Sequence, residues 1–282
     1  MKVDQRALAG IDVKIKRAEE HFGVLHDEML AWHTDQPYRL VQEMHDHGCK
    51  HLWRLKLDRP LPVEWAIIMG EAVHDLRSAL EQCVYWLTID HGRRPLPGTG
   101  FPVSSRRSDF ERHTRGGGLY QIRGIGAGPQ AFIEKLQPYP QRWRYAPGVA
   151  IRTLHDLWNK DKHRLVNIWG LHFNEHTLRP VDSPRPPIDC TTWIDRRVLQ
   201  ENAIPLRVLC ATPHPNVKMD GDAIVNISMR VGRSALRAGG QSAWIMTGYT
   251  ADVIYKLLGA FGRQDAPINS SIWSARPAYP PR

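Results

Sequence analysis

The chain is organised around residues 63–90, VEWAIIMGEAVHDLRSALEQCVYWLTID, whose periodicity predicts one long amphipathic helix. At about 100° per residue, its apolar and ionisable side chains fall on opposite faces. The apolar face consists of Met69, Ala72, Val73, Leu76, Leu80, Val84 and Leu87. The ionisable face consists of Glu71, His74, Arg77, Ser78 and Glu81. We therefore expect this helix to have one buried side and one ionisable side.

A second dense group of ionisable residues closes another helical pattern, at residues 147–163. This group consists of Asn159, Lys160, Asp161, Lys162, His163 and Arg164. Because the chain has few other clusters of this kind, we predict that the two groups meet and share one site.

Length and composition indicate a globular protein. The 282 residues could form one large domain or two of ordinary size, and 42% of them are hydrophobic, which is enough for a real core. Lys and Arg total 38 against 29 Asp and Glu, giving a net charge of +9 that favours polyanionic partners. Much of the excess lies in residues 92–144, the Arg-rich segment. Its basic residues are Arg93, Arg94, Arg106, Arg107, Arg112, Arg115, Arg123, Lys135, Arg142 and Arg144, against Asp109, Glu111 and Glu134.

Cysteine usage and the N-terminus predict a cytoplasmic location. Cys49, Cys83, Cys190 and Cys210 stand singly, without a CxxC pair or the dense framework of small secreted domains. The first residues are charged throughout, and no run of 18 apolar residues occurs. No membrane partner is therefore expected.

The N-terminal region predicts a long helix and a β-hairpin. Apolar residues at spacings of three and four make residues 5–33 one amphipathic helix, whose stripe suits core packing within the chain or, alternatively, a homodimer. Residues 38–58 alternate with period two and predict the hairpin. Its tip carries His45, His47, Cys49 and His51. These do not converge as a CxxC motif does, so neither a metal site nor a cofactor is predicted.

The remaining pattern predicts an α+β fold. Helices are expected at 109–114, 129–137, 147–163 and 250–261, and strands at 165–173, 192–195, 206–212, 223–231 and 244–247. This places a mainly helical region with the hairpin at 1–164, and a β-rich, mostly antiparallel region with a terminal helix at 165–282. The helices and hairpin would pack on the sheet. One continuous domain is the alternative.

Four motifs in order carry a family resemblance. They are Gly70-Glu71-Ala-Val-His74-Asp75-Leu-Arg77-Ser78-Ala-Leu-Glu81, Phe101-Pro102-Val103, Gln137-Pro138-Tyr139 and Asp161-Lys-His-Arg164. Over roughly residues 5–170, this pattern resembles a family of uncharacterised actinobacterial and phage proteins. The resemblance implies that the first and last motifs pair in the fold, and it implies no particular reaction.

The two ionisable groups together suit a metal-independent phosphodiesterase. An imidazole pair, His74 and His163, would transfer protons. Cations would hold the phosphate: Arg77, Lys162 and Arg164. Supporting carboxylates would be Glu71, Glu81 and Asp161. The alternative is a buried polar network that fastens the two helices, with the arginines paired to these carboxylates.

The Arg-rich segment predicts contacts with RNA or DNA. Arg106, Arg107, Arg115 and Arg123 are the predicted phosphate contacts. Bases would stack on the neighbouring aromatic residues, Phe101, Phe110, Tyr120, Tyr139, Trp143 and Tyr145. The alternative is a solvated basic loop whose aromatics pack inward. The expected function is nucleic-acid binding with ribonuclease activity as its extension, and the alternative is a non-enzymatic interaction or scaffold protein.

Overall fold

The computed structural model of the protein describes residues 5–139, 146–162, 169–173, 179–180, 189–195, 199, 201–214, 219–220, 225–231, 234–237 and 241–259. The helices are α1 (Gln5–Thr34), α2 (Glu64–Asp90), α3 (Arg107–Phe110), α4 (Gly118–Gln121), α5 (Ala127–Lys135), α6 (Ala146–Asp161) and α7 (Gln241–Gly259). The strands are β1 (Tyr38–His45), β2 (Lys50–Leu57), β3 (Trp169–Phe173), β4 (Arg179–Pro180), β5 (Cys190–Ile194), β6 (Leu206–Cys210), β7 (Met219–Asp220), β8 (Val225–Val231) and β9 (Ser234–Arg237). This mixture of helices and antiparallel sheet confirms the α+β class.

The chain divides into two compact units. Unit one takes residues from the ranges 1–20, 71–159 and 244–282, and unit two takes residues from 21–70 and 160–243. Helices α1 and α2 each contribute one part to unit one and the other part to unit two.

Both long helices bury the apolar faces that the sequence predicts. The α1 stripe is at most 7% exposed: Leu8, Ile11, Ile15, Ala18, Phe22, Leu25, Met29 and Trp32. The apolar face of α2 is buried as completely, since Leu76 and Leu80 are both 0% exposed. The α1 stripe is thus covered within a single chain, as the core-packing alternative expects. A homodimer through another part of α1 stays a prediction.

Unit two contains a four-stranded antiparallel sheet in the order β1-β2-β6-β5. The predicted hairpin forms β1 and β2, joined by a 3-10 turn at Asp46–Gly48, where Gly48 has φ 94°, a value that favours glycine. Because neighbouring side chains along a strand alternate between faces, the two faces of this sheet differ in burial. The buried face carries His51, Trp53, Leu55, Leu206, Val208 and Cys210. The open face exposes Trp193 and Leu209.

Further strands form two smaller antiparallel sheets. Strands β3, β8 and β9 form a three-stranded sheet in that order, and β4 pairs with β7. The short strands β4, β7 and β9 were not predicted, because two to four residues are too few to show a period of two.

One predicted strand is wrong. Residues 244–247 were expected to be extended, but they belong to the first turns of α7. Their apolar residues begin the helical stripe that continues down the element: Met246, Thr250, Val253, Ile254 and Leu257 are all at most 5% exposed. A stretch of four residues fits both the strand period of two and the helix period of 3.6. Residues 244–247 are helical because the buried face of α7 continues as far as Leu258.

Candidate functional site

Helices α2 and α6 contact each other at two points, and a site shared by the two ionisable groups stays a prediction. In unit one, the guanidinium carbon of Arg77 lies 5.1 Å from the centre of the Trp158 ring. In unit two, the carboxylate of Asp161 lies against Gly70, where an added Cβ would be 2.5 Å from Asp161 Oδ1. Glycine at residue 70 therefore makes room for the acidic end of α6, since any side chain there would displace that carboxylate.

Arg77 is the centre of a buried polar network in unit one. Its side chain is 5% exposed, and its Nη2 donates to the carboxylate of Glu81 and, at 2.5 Å, to the carbonyl oxygen of Phe101. The Phe101 amide in turn donates to Glu81 Oε2 at 3.0 Å. Arg77 thus ties α2 to the chain that follows it, and Glu81 completes a closed ring of hydrogen bonds.

Burial changes the electrostatics of Arg77. It lowers the pKa of the guanidinium, while the charge and hydrogen bond of Glu81 raise it. Because the ordinary pKa of arginine is far above neutrality, the group stays charged. Its Nε and Nη1 are buried and have no hydrogen-bond partner among the described residues. The Trp158 ring and the Phe101 ring, 5.1 and 6.0 Å from the guanidinium carbon, supply cation-π contacts instead.

The other predicted catalytic residues are in different situations. His74 and Glu71 are exposed on α2, and Lys162 is exposed after the end of α6. His163 and Arg164 lie outside the described residues, so the predicted pairing of His74 with His163 stays a prediction. Among the predicted residues that are described, the structure brings Arg77 and Glu81 into direct contact.

The Arg-rich segment is anchored by its buried side chains. Gln137 is 4% exposed; its Nε2 donates to the carbonyl oxygens of Pro102 and Ile133, both at 3.0 Å, and its Oε1 accepts from Ser104 N at 2.8 Å. Sequence inspection missed this role, because a glutamine following α5 shows no periodic signal.

The predicted base-stacking surface is wrong for two of its residues. Phe101 is 0% exposed and Phe110 is 1% exposed, so neither ring is open to a base. The ring of Tyr120 lies under the Arg123 guanidinium, whose carbon is 3.6 Å from the ring centre. Trp143 and Tyr145 lie outside the described residues. Phe101 and Phe110 therefore pack into the core together with other buried apolar side chains of the segment, such as Ile122, Ile133 and Leu136.

The exposed arginines of the segment fall into two classes. Arg107 pairs with Glu111 at 2.9 Å and Glu134 at 3.5 Å, and Arg112 lies 3.9 Å from Asp109. In contrast, four arginines are exposed and have no acidic partner in the part of the chain that the structure describes: Arg93, Arg94, Arg106 and Arg115. The second class is therefore available to an external anion.

The histidines and cysteine of the hairpin tip do not converge on a metal site among the described residues. His51 is 0% exposed, and both its nitrogens are used: Nδ1 lies 3.1 Å from Gln42 Nε2 and Nε2 lies 3.0 Å from the carbonyl oxygen of Gly48. Both ring nitrogens of His51 therefore serve the packing of the hairpin tip.

The cysteines contain a feature that sequence inspection missed. Cys190 and Cys210 form a disulfide bond, although they were expected to stand singly. They are directly opposite each other in the register of β5 and β6, so the sheet brings together two residues that are 20 positions apart. His214 lies beside them, and the three form a group of potential metal ligands.

Comparison of the chain with protein-family models, with curated proteins and with solved structures finds no match. Among the described helices, none has the length and apolar character that a membrane span requires.

Proposed function

We propose that the protein binds the phosphate backbone of nucleic acid through Arg93, Arg94, Arg106 and Arg115. The supporting observation is that these four guanidinium groups are exposed and have no acidic partner in the described ranges. An unpaired arginine can form two parallel hydrogen bonds with a phosphate, whereas an arginine already bound to a carboxylate must first break that contact. The proposal keeps two of the predicted residues and adds Arg93 and Arg94.

The proposed binding is largely independent of sequence. Phosphate contacts fix position but carry no direct sequence information, and the buried rings of Phe101 and Phe110 offer no stacking surface. The net charge of +9 adds a long-range attraction toward RNA or DNA. We expect affinity for single and double strands alike, with a steep dependence on salt.

A non-catalytic binder is favoured by the contacts of Arg77. This residue was a predicted phosphate ligand, but it is buried and donates to Glu81 and Phe101. Cleavage of a bound strand by His74 and His163 is a separate proposal, supported by the exposure of His74 on α2. Incubation of the purified protein with labelled single-stranded RNA, with and without a chelator, tests it. His74→Ala should abolish any cleavage, and an intact substrate with the parent protein would end the proposal.

The decisive experiment measures affinity against salt concentration for two variants of equal charge. One replaces Arg93, Arg94, Arg106 and Arg115 by alanine. The control replaces four exposed cations that each have an acidic partner: Arg17, Arg39, Arg59 and Lys256. Both variants change the net charge from +9 to +5, since each loses four positive charges. A difference between them therefore reports where the charges lie and not how many there are.

For single-stranded RNA, the plot of log affinity against log salt should become less steep by about 3 in the first variant, because each lost phosphate contact removes about 0.7 from the slope. The control should keep most of the parent slope. Equal slopes in all three proteins, or equal losses in both variants, would overturn the proposal.

The predicted cytoplasmic location and the homodimer are kept as proposals. Cell fractionation tests the first. Sedimentation analysis of the purified chain across a range of concentrations tests the second, since an α1-mediated dimer would dissociate on dilution.

A further inference from the structure

Three potential metal ligands converge at one end of the sheet in unit two. The sulfur atoms of Cys190 and Cys210 and a ring nitrogen of His214 all lie within 4.8 Å of one another. Cys210 is buried, and the other two are half-buried. We call Cys190, Cys210 and His214 the Cys2His cluster.

The backbone around the cluster is fixed by hydrogen bonds. Cys210 N donates to Cys49 O at 2.7 Å, Ala211 N donates to Asp189 O at 3.0 Å, and His214 N donates to Gly48 O at 3.0 Å. The ligands are therefore carried by strands and by a loop that is attached to the hairpin tip. Such a frame places the backbone of the three residues close together.

Asp189 lies next to the imidazole of the cluster. Its Oδ1 is 3.0 Å from His214 Nε2 and 3.9 Å from Cys190 Sγ. The amide of Thr212 donates to Asp189 Oδ2 at 3.0 Å, and the Thr212 hydroxyl donates to the same oxygen. The carboxylate is thus held in place and can orient His214 or supply a further oxygen ligand.

We propose that the Cys2His cluster is a redox-controlled zinc site, closed by the disulfide when oxidised and open to Zn²⁺ when reduced. Thiolate and imidazole are the ligands that zinc prefers. With Zn–S near 2.3 Å, two sulfur ligands of a tetrahedral ion are about 3.8 Å apart, so the bonded sulfur atoms of Cys190 and Cys210 must separate on reduction to bind one ion. Rotation of the two cysteine side chains about their Cα–Cβ bonds would separate the sulfur atoms while the strands stay paired.

The chemistry of the switch is a two-electron exchange followed by metal binding. A dithiol reductant gives two electrons and two protons to the Cys190–Cys210 bond, which becomes two thiols, while the reductant closes its own disulfide. Zn²⁺ then binds both sulfur atoms as thiolates and releases the two protons. In the predicted cytoplasmic location the reducing agents of the cell would favour the open state.

The test uses the full chain, with Co²⁺ as a spectroscopic probe and Zn²⁺ as its competitor. We expect the chain reduced by a phosphine to bind one Co²⁺ with the absorption of a tetrahedral thiolate complex, and Zn²⁺ to displace it. The oxidised chain should give no such absorption. Absence of the absorption from the reduced chain, or the same absorption from the oxidised chain, would overturn the proposal.

Variants locate the site. His214→Ala leaves the disulfide intact and should still fold, but its reduced form should lose the tetrahedral absorption. Asp189→Asn should weaken Zn²⁺ binding by about 10- to 100-fold, as for other residues that orient a metal ligand. The controls are Cys49→Ser and His47→Ala, which remove potential ligands close to the cluster but outside it. Loss of binding in a control, or full binding in His214→Ala, would assign the metal to the hairpin tip and refute the proposal.

Discussion

Each of the two units contains an arginine that binds both a carboxylate and a backbone carbonyl oxygen. One of these arginines lies in the core and the other at the surface. In unit one, Arg77 binds Glu81 and donates to the carbonyl oxygen of Phe101. In unit two, Arg54 binds both oxygens of Glu43, at 2.6 and 2.9 Å, and its Nη1 donates to the carbonyl oxygen of Asn202 at 2.9 Å. Each arginine thus joins a carboxylate to a loop.

The difference between the two is access to water. The Arg77 side chain is 5% exposed, whereas that of Arg54 is 27% exposed. Water can replace the partners of an exposed arginine, but it cannot replace those of a buried one without opening the core. The same hydrogen-bond pattern should therefore contribute much more to stability in unit one than in unit two.

The largest effect is expected for Arg77→Ala. It leaves Glu81 without its cation and the Phe101 carbonyl without its donor, and it opens space beside Trp158. Because Glu81 is 35% exposed, we expect a cost at the lower end of the range for broken buried pairs, about 3 kcal/mol. Urea unfolding at neutral pH measures it.

The matched control for that variant is Arg107→Ala. Arg107 also pairs with carboxylates, but its side chain is 67% exposed, so its loss should cost less than about 1 kcal/mol. If both variants lose the same free energy of unfolding, burial does not determine how much these contacts contribute to stability.

A smaller but clear loss is expected for Gln137→Ala. The change leaves Ser104 N and the Pro102 carbonyl in the interior without partners, which should cost about 2 kcal/mol. Gln130→Ala is the comparison, because Gln130 donates to the carbonyl oxygens of Ile122 and Ile125 from a half-buried position. Thermal unfolding should rank Gln137→Ala as the less stable protein, and the reverse order would contradict the role assigned to the buried amide.

Local periodicity was enough to predict most of the regular structure. The helix expected at 5–33 is Gln5–Thr34, the one at 63–90 is Glu64–Asp90, and the hairpin at 38–58 is formed by Tyr38–His45 and Lys50–Leu57. These patterns succeed because each element buries one face along many residues. The prediction for the start of α7 was wrong because four residues do not distinguish a period of two from one of 3.6.

The candidate sites were harder to predict, because they depend on what covers a helix face and on strand register. A helical projection places Arg77 beside the exposed His74, yet Phe101 and Trp158 come from distant segments and bury it. Likewise, the ligand-rich hairpin tip does not converge on a metal site, while Cys190 and Cys210 meet through the register of β5 and β6. Neither relation is encoded in residue spacing.

The ion pair between Arg54 and Glu43 should make the stability of the protein depend on pH in acid. The hydrogen bond from Arg54 lowers the pKa of Glu43 from 4.5 to about 2. A folded-state pKa below the unfolded value means that the pair stabilises the fold above about pH 4.5 and that this stability is lost as the pH falls toward 2.

Glu43→Gln should remove that part of the acid dependence. Urea midpoints of the parent and the variant should differ most above pH 4.5, and the difference should shrink as the pH falls to 2, where Glu43 becomes protonated in the folded state as well as in the unfolded state. The difference at neutral pH should be smaller than that of Arg77→Ala. A constant offset between the two proteins from pH 6 to pH 2 would show that the pair does not act through ionisation.

The smallest effect is expected for Lys56→Met, which removes an exposed contact to the same loop that Arg54 holds. Lys56 Nζ donates to Asn202 Oδ1 at 2.5 Å, and the backbone amide of Asn202 donates independently to Leu55 O at 2.9 Å. Water can satisfy the released amide oxygen, and the methionine keeps the apolar stem of the lysine against the strand. The cost should therefore be within about 0.5 kcal/mol, which is typical of exposed sites. A loss of more than about 1 kcal/mol in the free energy of unfolding would mean that exposed contacts stabilise the loop of unit two as much as buried contacts stabilise that of unit one. The contrast between Arg77 and Arg54 would then be wrong.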